Sequence, residues 1–266
     1  MAGISCITPT APAHEVRSGL KRDSAYATAA TSRQSQPTVG ANSLKYASKG
    51  EMLHCWDDKF AQLAARQPDK FAEKTAVQSF EESAGIYSEF GKIVCISVGF
   101  IFEKDKKTAF RVRSFADKDE KRILTDFKNL LQNFCKTTAH TLCGHNIKEF
   151  DVPYICRRMI INSIALPKIL QIAGKKPWEL PFWDTLDMWK FGDLKNYTSL
   201  KLLTAVLGIP TPKDDIDGSM VASVFYREND LQRIATYCQK DVVATAQVFL
   251  RLNGFETLEN DNIEFV

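Results

Sequence analysis

Two aspartates and one tyrosine stand where side chains could act together. Asp151 lies in GHNIKEFDVPYICRR, at the junction between a short apolar run and a helical spacing. Tyr237 and Asp241 lie four residues apart in YCQKDVVATAQVFL, so both project from one face of a helix. With 100° per residue from Leu231, the residues Ile234, Ala235, Cys238, Val242 and Phe249 gather around one direction. Tyr237 and Asp241 fall roughly 80–120° from it. That is the shoulder of a buried stripe, where a catalytic pair on the rim of a cleft would sit. Plainer readings exist for each. Asp is a preferred N-cap and Pro153 marks a first helical turn, so Asp151 could simply cap a helix. Tyr237 and Asp241 could be an amphipathic ring and an exposed charge beside a core face.

The elements that would position these residues follow from hydrophobic periodicity. Residues 51–65 carry a helical spacing of Leu53, Trp56, Phe60, Leu63 and Ala64. GKIVCISVGFIF, residues 91–102, is a continuous apolar run opened by glycine and reads as a buried strand. Residues 108–115 read as a second strand, joined to the first by a charged turn at 104–107. Residues 119–134 place Ile123, Leu124, Phe127, Leu130, Leu131 and Phe134 on one helical face. A short strand is expected over 140–147 and a helix over about 151–162. Residues 182–189 fit a strand, a strand end or a short helix. Further helices are expected over 199–207, 218–226 and 230–252. Strands alternating with helices define one α/β domain, and the hairpin makes its sheet mixed.

Composition bounds the rest. The chain has 266 residues, 44% hydrophobic and 25% charged, enough for one full core without disulfides or a structural metal. No apolar run approaches the roughly 20 residues that cross a bilayer, so no membrane partner is expected. The net charge is +3, of which the first 42 residues hold +2 (Arg17, Lys21, Arg22 and Arg33 against Glu15 and Asp23). The remainder lacks the basic excess of a domain that coats duplex DNA. The clusters Lys104/Lys106/Lys107, Arg157/Arg158 and Lys175/Lys176 read as solvated surface. Seven cysteines without C-x-x-C spacing read as buried free thiols of a reducing, cytoplasmic compartment. Residues 1–42, rich in Ala, Ser, Thr and Pro, have the composition of a disordered segment, weakly similar to a transit peptide. The expected organisation is therefore 1–42 disordered or non-native, 43–254 the domain, and 255–266 a C-terminal tail.

The string G-H-N-x-x-x-F-D after a strand, with Y-x-x-x-D on the last long helix, resembles the second and third motifs of the DEDD superfamily of 3′–5′ exonucleases. The tyrosine points to its DEDDy (DnaQ-like) branch. From about Ser43 to Gly254 the chain resembles bacterial predicted exonucleases related to the proofreading domain of family B DNA polymerases. AGIYSEFGKIVCISVGF, GHNIKEFDVPYICRRM, KPWELPFWDTLDMWKFG and YCQKDVVAT carry that resemblance. It implies a ribonuclease H-like fold, a mixed sheet flanked by helices. It implies hydrolysis of phosphodiester bonds at nucleic-acid 3′ ends, DNA in preference to RNA, with four acids holding two divalent ions, Mg²⁺ or Mn²⁺. Asp151 and Asp241 would be metal ligands, and Tyr237 would orient the attacking water. Asn146 and Phe150 match positions that contact or stack the terminal nucleotide. The chain shows no polymerase domain, so proofreading would need a separate polymerase or repair protein.

The resemblance breaks at one motif. The family's first motif is Asp-x-Glu on the central strand, and no Asp-x-Glu occurs in this chain. PTVGAN, just before the family-like sequence, has no acid, and neither has the strand-like ISCIT at Ile4–Thr8. The central first strand is thus expected to be missing or replaced, and hydrolysis strongly reduced or absent. A wrong start, a frameshift or a truncated gene would account for residues 1–42. The alternatives are a non-catalytic nucleic-acid-binding remnant of the same fold and a structural or protein-interaction domain.

Other residues have local readings. His145 could contact substrate or bond to backbone. Asp184 and Asp187 in FWDTLDMW could replace missing ligands, although the W-D-T aspartate suits a structural hydrogen bond. Trp178, Phe182, Trp183 and Trp189 could stack bases or pack the core. Asp214, Asp215 and Asp217 suit the cap of the next helix, and Lys175/Lys176 could guide a phosphate backbone.

Overall fold

The computed structural model of the chain describes residues 2–7, 26–33, 49–137, 140–193, 195, 197–210 and 215–266. Strands β1 (Ala2–Ile7) and β2 (Tyr26–Arg33) come first. Helices α1 (Lys49–Arg66), α2 (Pro68–Phe71) and α3 (Ala76–Ser83) follow, then the hairpin β3 (Ile93–Lys104) and β4 (Lys107–Ala116) and helix α4 (Glu120–Phe134). Strand β5 (Thr141–Gly144) leads into α5 (Asp151–Ile161), and β6 (Phe182–Asp184) into α6 (Thr185–Lys190). Helices α7 (Leu200–Val206), α8 (Val221–Ser223) and α9 (Leu231–Leu252) precede β7 (Ile263–Phe265). The strands form one seven-stranded sheet in the order β6-β5-β1-β2-β3-β4-β7. Only β5–β6 and β4–β7 run parallel along their length, so the sheet is mixed, as expected.

β3 explains the two-sided architecture. Ile93 to Gly99 are all buried, which a strand achieves only when both faces are covered. Ile96 and Val98 join one core with Leu124 and Phe127 of α4 and Ile155 and Met159 of α5. Cys95 and Ile101 join a second with Ile234, Cys238 and Val242 of α9. The β3–β4 turn consists of Asp105 and Lys106 at φ 52° and 63°. Both signs are those of a two-residue turn whose twist matches the strands it joins.

The central strand is replaced, one of the two outcomes expected: between β5 and β3 lie β1, which overlaps the strand-like ISCIT, and β2, both from the residues 1–42 that composition marks as disordered. The physical reason is backbone demand: without them, the facing edges of β3 and β5 would carry unpaired N–H and C=O groups. β1 meets β5 antiparallel, and β2 meets β3 antiparallel and touches β5 in parallel at Thr28 opposite Cys143. Residues 255–266 are not a tail. β7 extends the sheet beside β4, and Leu258 is fixed by Gln247, whose Nε2 donates to its carbonyl at 3.0 Å and whose Oε1 accepts its N–H at 2.7 Å. Glu264 accepts from Lys104 and Arg111.

Arg158, grouped above with solvated surface, is 2% exposed. Its guanidinium donates to both oxygens of buried Glu120, at 2.8 and 2.5 Å, and to the Ser88 carbonyl at 2.9 Å. Glu120 also accepts from the Ile93 N–H at 2.6 Å and from Asn162 at 2.9 Å. Helix α4, helix α5 and the start of β3 thus meet on one ion pair. Beside it, the Tyr154 hydroxyl donates to the Gly85 carbonyl at 3.0 Å over Gly91. A Cβ on Gly91 would lie 2.2 Å from that hydroxyl oxygen. The helices α1 and α3 close a smaller cluster around Trp56, whose Nε1 donates to the Ala76 carbonyl at 2.9 Å.

Candidate active site

The loop from β5 to α5 carries Asn146 and Phe150 and leads into Asp151, the first residue of α5, and Asp184 holds it. At the end of β6, Asp184 pairs in parallel register with Gly144 at the end of β5. Its carboxylate accepts from the backbone N–H of Asn146 at 2.8 Å, of Lys148 at 3.2 Å and of Leu186 at 3.0 Å. One buried side chain therefore caps α6 and fixes the loop. Burial pushes its carboxyl above the ordinary carboxylate range, against the opposing pull of those N–H donors. The reading of Asp184 as a structural hydrogen-bonding residue agrees with this geometry. Asp187 pairs with Lys148 at 3.0 Å instead of facing a ligand set.

His145 is buried and bonds through Nδ1 to Thr185 Oγ1 at 3.0 Å and through Nε2 to the Thr198 carbonyl at 2.8 Å. Burial holds its pKa below the usual imidazole value. It ties the loop to α6 and to the approach of α7, a backbone-bonding role. Asn146 adopts φ 61°, a left-handed conformation that asparagine tolerates. The bend follows β5 directly and carries the chain toward α5. Phe150 is partly buried, its ring centroid 6.4 Å from that of Tyr154.

Asp151 is fully buried in the first turn of α5. It does not cap the helix: Phe150 occupies the N-cap position, without a side-chain bond. On α9, Cys238 and Val242 are fully buried while Tyr237 and Asp241 beside them are partly exposed, which is the shoulder position read from the sequence. Cys143 of β5 shares a core with Cys238 and Val242. The strand that leads to Asp151 and the turn of α9 that carries Tyr237 and Asp241 are therefore neighbours.

The remaining candidates disperse. Asp215 pairs with Arg233 at 2.6 Å, and Asp217 accepts from the Ser219 N–H at 2.8 Å in the turn before α8. Asp214 lies outside the described residues. Trp183 packs on Phe249, Trp189 joins a cluster with Leu203 and Val248, and Phe182 is buried, whereas Trp178 is 78% exposed. Sequence reasoning gave His145 a possible backbone bond and Asp184 a structural hydrogen bond, but not their partners, Thr198 for the one and residues 146 and 148 for the other. The one available signal was an aspartate closing a strand beside a second strand end.

The donor set for metal is short. Among the described residues, no group of three or more His, Cys, Asp or Glu side chains could hold a metal ion. The central strands read AGISCI and YATAATSR, without an acid. Two carboxylates cannot balance the four positive charges of two divalent ions. Among the described residues, the set therefore does not fit a two-ion centre.

A mixed sheet with helices on both faces is the architecture of a ribonuclease H-like exonuclease fold. Residues 86–264, more than half of the chain, match the family of predicted 3′–5′ exonucleases related to the exonuclease domain of PolB, and the chain belongs to that family. No curated protein matches the chain.

Proposed function

We propose that the chain binds the 3′ end of a nucleic-acid strand, DNA in preference to RNA, as a 3′–5′ exonuclease domain whose phosphodiester hydrolysis is strongly reduced. Asn146 and Phe150 hold the terminal nucleotide, with the Phe150 ring offering a stacking surface that accepts any base. Asp151 and Asp241 are the carboxylates nearest the scissile phosphate, and the Tyr237 hydroxyl orients water there. These two acids would face a divalent ion, Mg²⁺ or Mn²⁺, but they are half of the set that the family's two-ion chemistry requires. The observation that carries this reading is the pair of acid-free strands in the centre of the sheet, in a chain that belongs to an exonuclease family.

The test uses a 5′-labelled single strand with Mg²⁺ or Mn²⁺, with the wild-type chain and Asp241→Ala side by side. Binding without shortening, or shortening within about tenfold of the variant, is expected. Rapid metal-dependent shortening that Asp241→Ala abolishes would overturn the reduced-activity reading. Absence of binding would overturn the nucleic-acid reading as a whole.

A further inference from the structure

A cleft of about 490 Å³ opens between the β5–α5 loop and the turn at Pro177–Glu179, lined by Lys148, Trp178, Phe182, Trp183 and Met188 among others. We infer that this cleft receives an unpaired nucleotide upstream of the 3′ terminus, stacked on Trp178. The inference rests on the proposed function, because it assigns the path of the strand whose end that function places at Asn146 and Phe150.

Three observations support it. First, Trp178 is 78% exposed while Trp56 is 1% exposed and Trp183 and Trp189 are partly buried against core clusters. The Lys176 ammonium lies over one face of this large ring on the wall of a nucleotide-sized cleft, and the other face can take a ligand's base. Second, the lysines around it outnumber the acids by one: Lys148, Lys175, Lys176 and Lys190 stand against Glu179, Asp184 and Asp187. Asp184 already accepts three backbone N–H groups, and Asp187 faces Lys148 at 3.0 Å and Lys190 at 3.8 Å. Glu179 accepts the Lys176 N–H at 2.8 Å. Lys175 and Lys176 are exposed and adjoin the lining residues Pro177 and Trp178 in sequence, and Lys176 Nζ lies 5.3 Å from the centre of the Trp178 ring. An aromatic face flanked by ammonium groups suits a single strand of any base sequence. Third, the cleft is continuous with the loop. Lys148 contributes its side chain to the cleft and lies two residues from both Asn146 and Phe150.

The test compares binding of a labelled hexanucleotide and of a competing dinucleotide to the full chain. Trp178→Ala should weaken hexanucleotide binding about tenfold and leave dinucleotide binding unchanged, and Trp178→Phe should restore most of the loss. Tryptophan emission should change on hexanucleotide binding in the wild type and not in Trp178→Ala. Equal hexanucleotide affinity in wild type and Trp178→Ala overturns the inference, as does the same emission change in both. If Asn146→Ala with Phe150→Ala abolishes binding of both lengths while Trp178→Ala changes neither, only the cleft assignment falls. If the wild type binds neither oligonucleotide, the proposed function falls with it.

Discussion

At the scale of single residues, the loop before α5 is held by two side chains with shifted proton affinities. His145 is buried and bonded to Thr198 and Thr185, and burial keeps it neutral by lowering its pKa from 6.5. The unfolded chain binds a proton near the ordinary value, so below it the unfolded state holds more protons than the folded one. Stability should then be full above about pH 6.5 and decline as pH falls toward the depressed folded value. Urea midpoints at pH 7.5 and 5.5 check this. The drop should shrink in His145→Gln, which removes the titration; an equal drop in both would exclude His145 as its source. Asp184 has the opposite sign: its raised carboxyl pKa favours the folded state below the ordinary carboxylate range, a lower window than that of His145.

At the scale of elements, the Glu120–Arg158 pair is where α4, α5 and β3 meet. Removing one partner leaves a buried charge with nothing to balance it. Glu120→Ala should cost about 3–5 kcal/mol in chemical unfolding. A loss below about 1 kcal/mol would show that the pair contributes little to the joint. Periodicity alone located β3, β4, α4, α5 and α9, because each is long or strongly apolar on one face. It also gave the Tyr237–Asp241 shoulder, since an angle on a helix needs no tertiary information. It could not give this ion pair, because Glu120 and Arg158 are 38 residues apart and each looks like an ordinary surface charge. Asp151 is ambiguous in the same way: an aspartate before Val-Pro reads as a cap, and only the structure, with Phe150 at the N-cap and Asp151 buried in α5, removes that reading. The short strands β1, β2 and β7 carry little pattern of their own, since pairing with a neighbouring backbone places them.

At the scale of the whole molecule, one sheet is covered by α4 and α5 on one side and α9 on the other, and its edge at β4 is closed by β7. Deleting residues 255–266 should remove the Leu258 anchor and the Glu264 contacts to Lys104 and Arg111. The expected loss is about 3 kcal/mol, from one buried leucine and its two hydrogen bonds. The bared β4 edge should also promote self-association in light scattering. An unchanged unfolding midpoint and a monodisperse shortened chain would count against that role.

Gly91 lies well away in sequence from every residue assigned to nucleic acid. A single methyl group there meets the Tyr154 phenol, three residues beyond Asp151 on the same helix, and the Gly85 carbonyl to which it is bound. In a saturation screen for nucleic-acid binding, alanine at this position should therefore score like a substitution at one of the proposed contact residues. Its defect would be transmitted by displacement of the helix, and a screen ranking positions by severity would credit the glycine with a chemistry it does not perform.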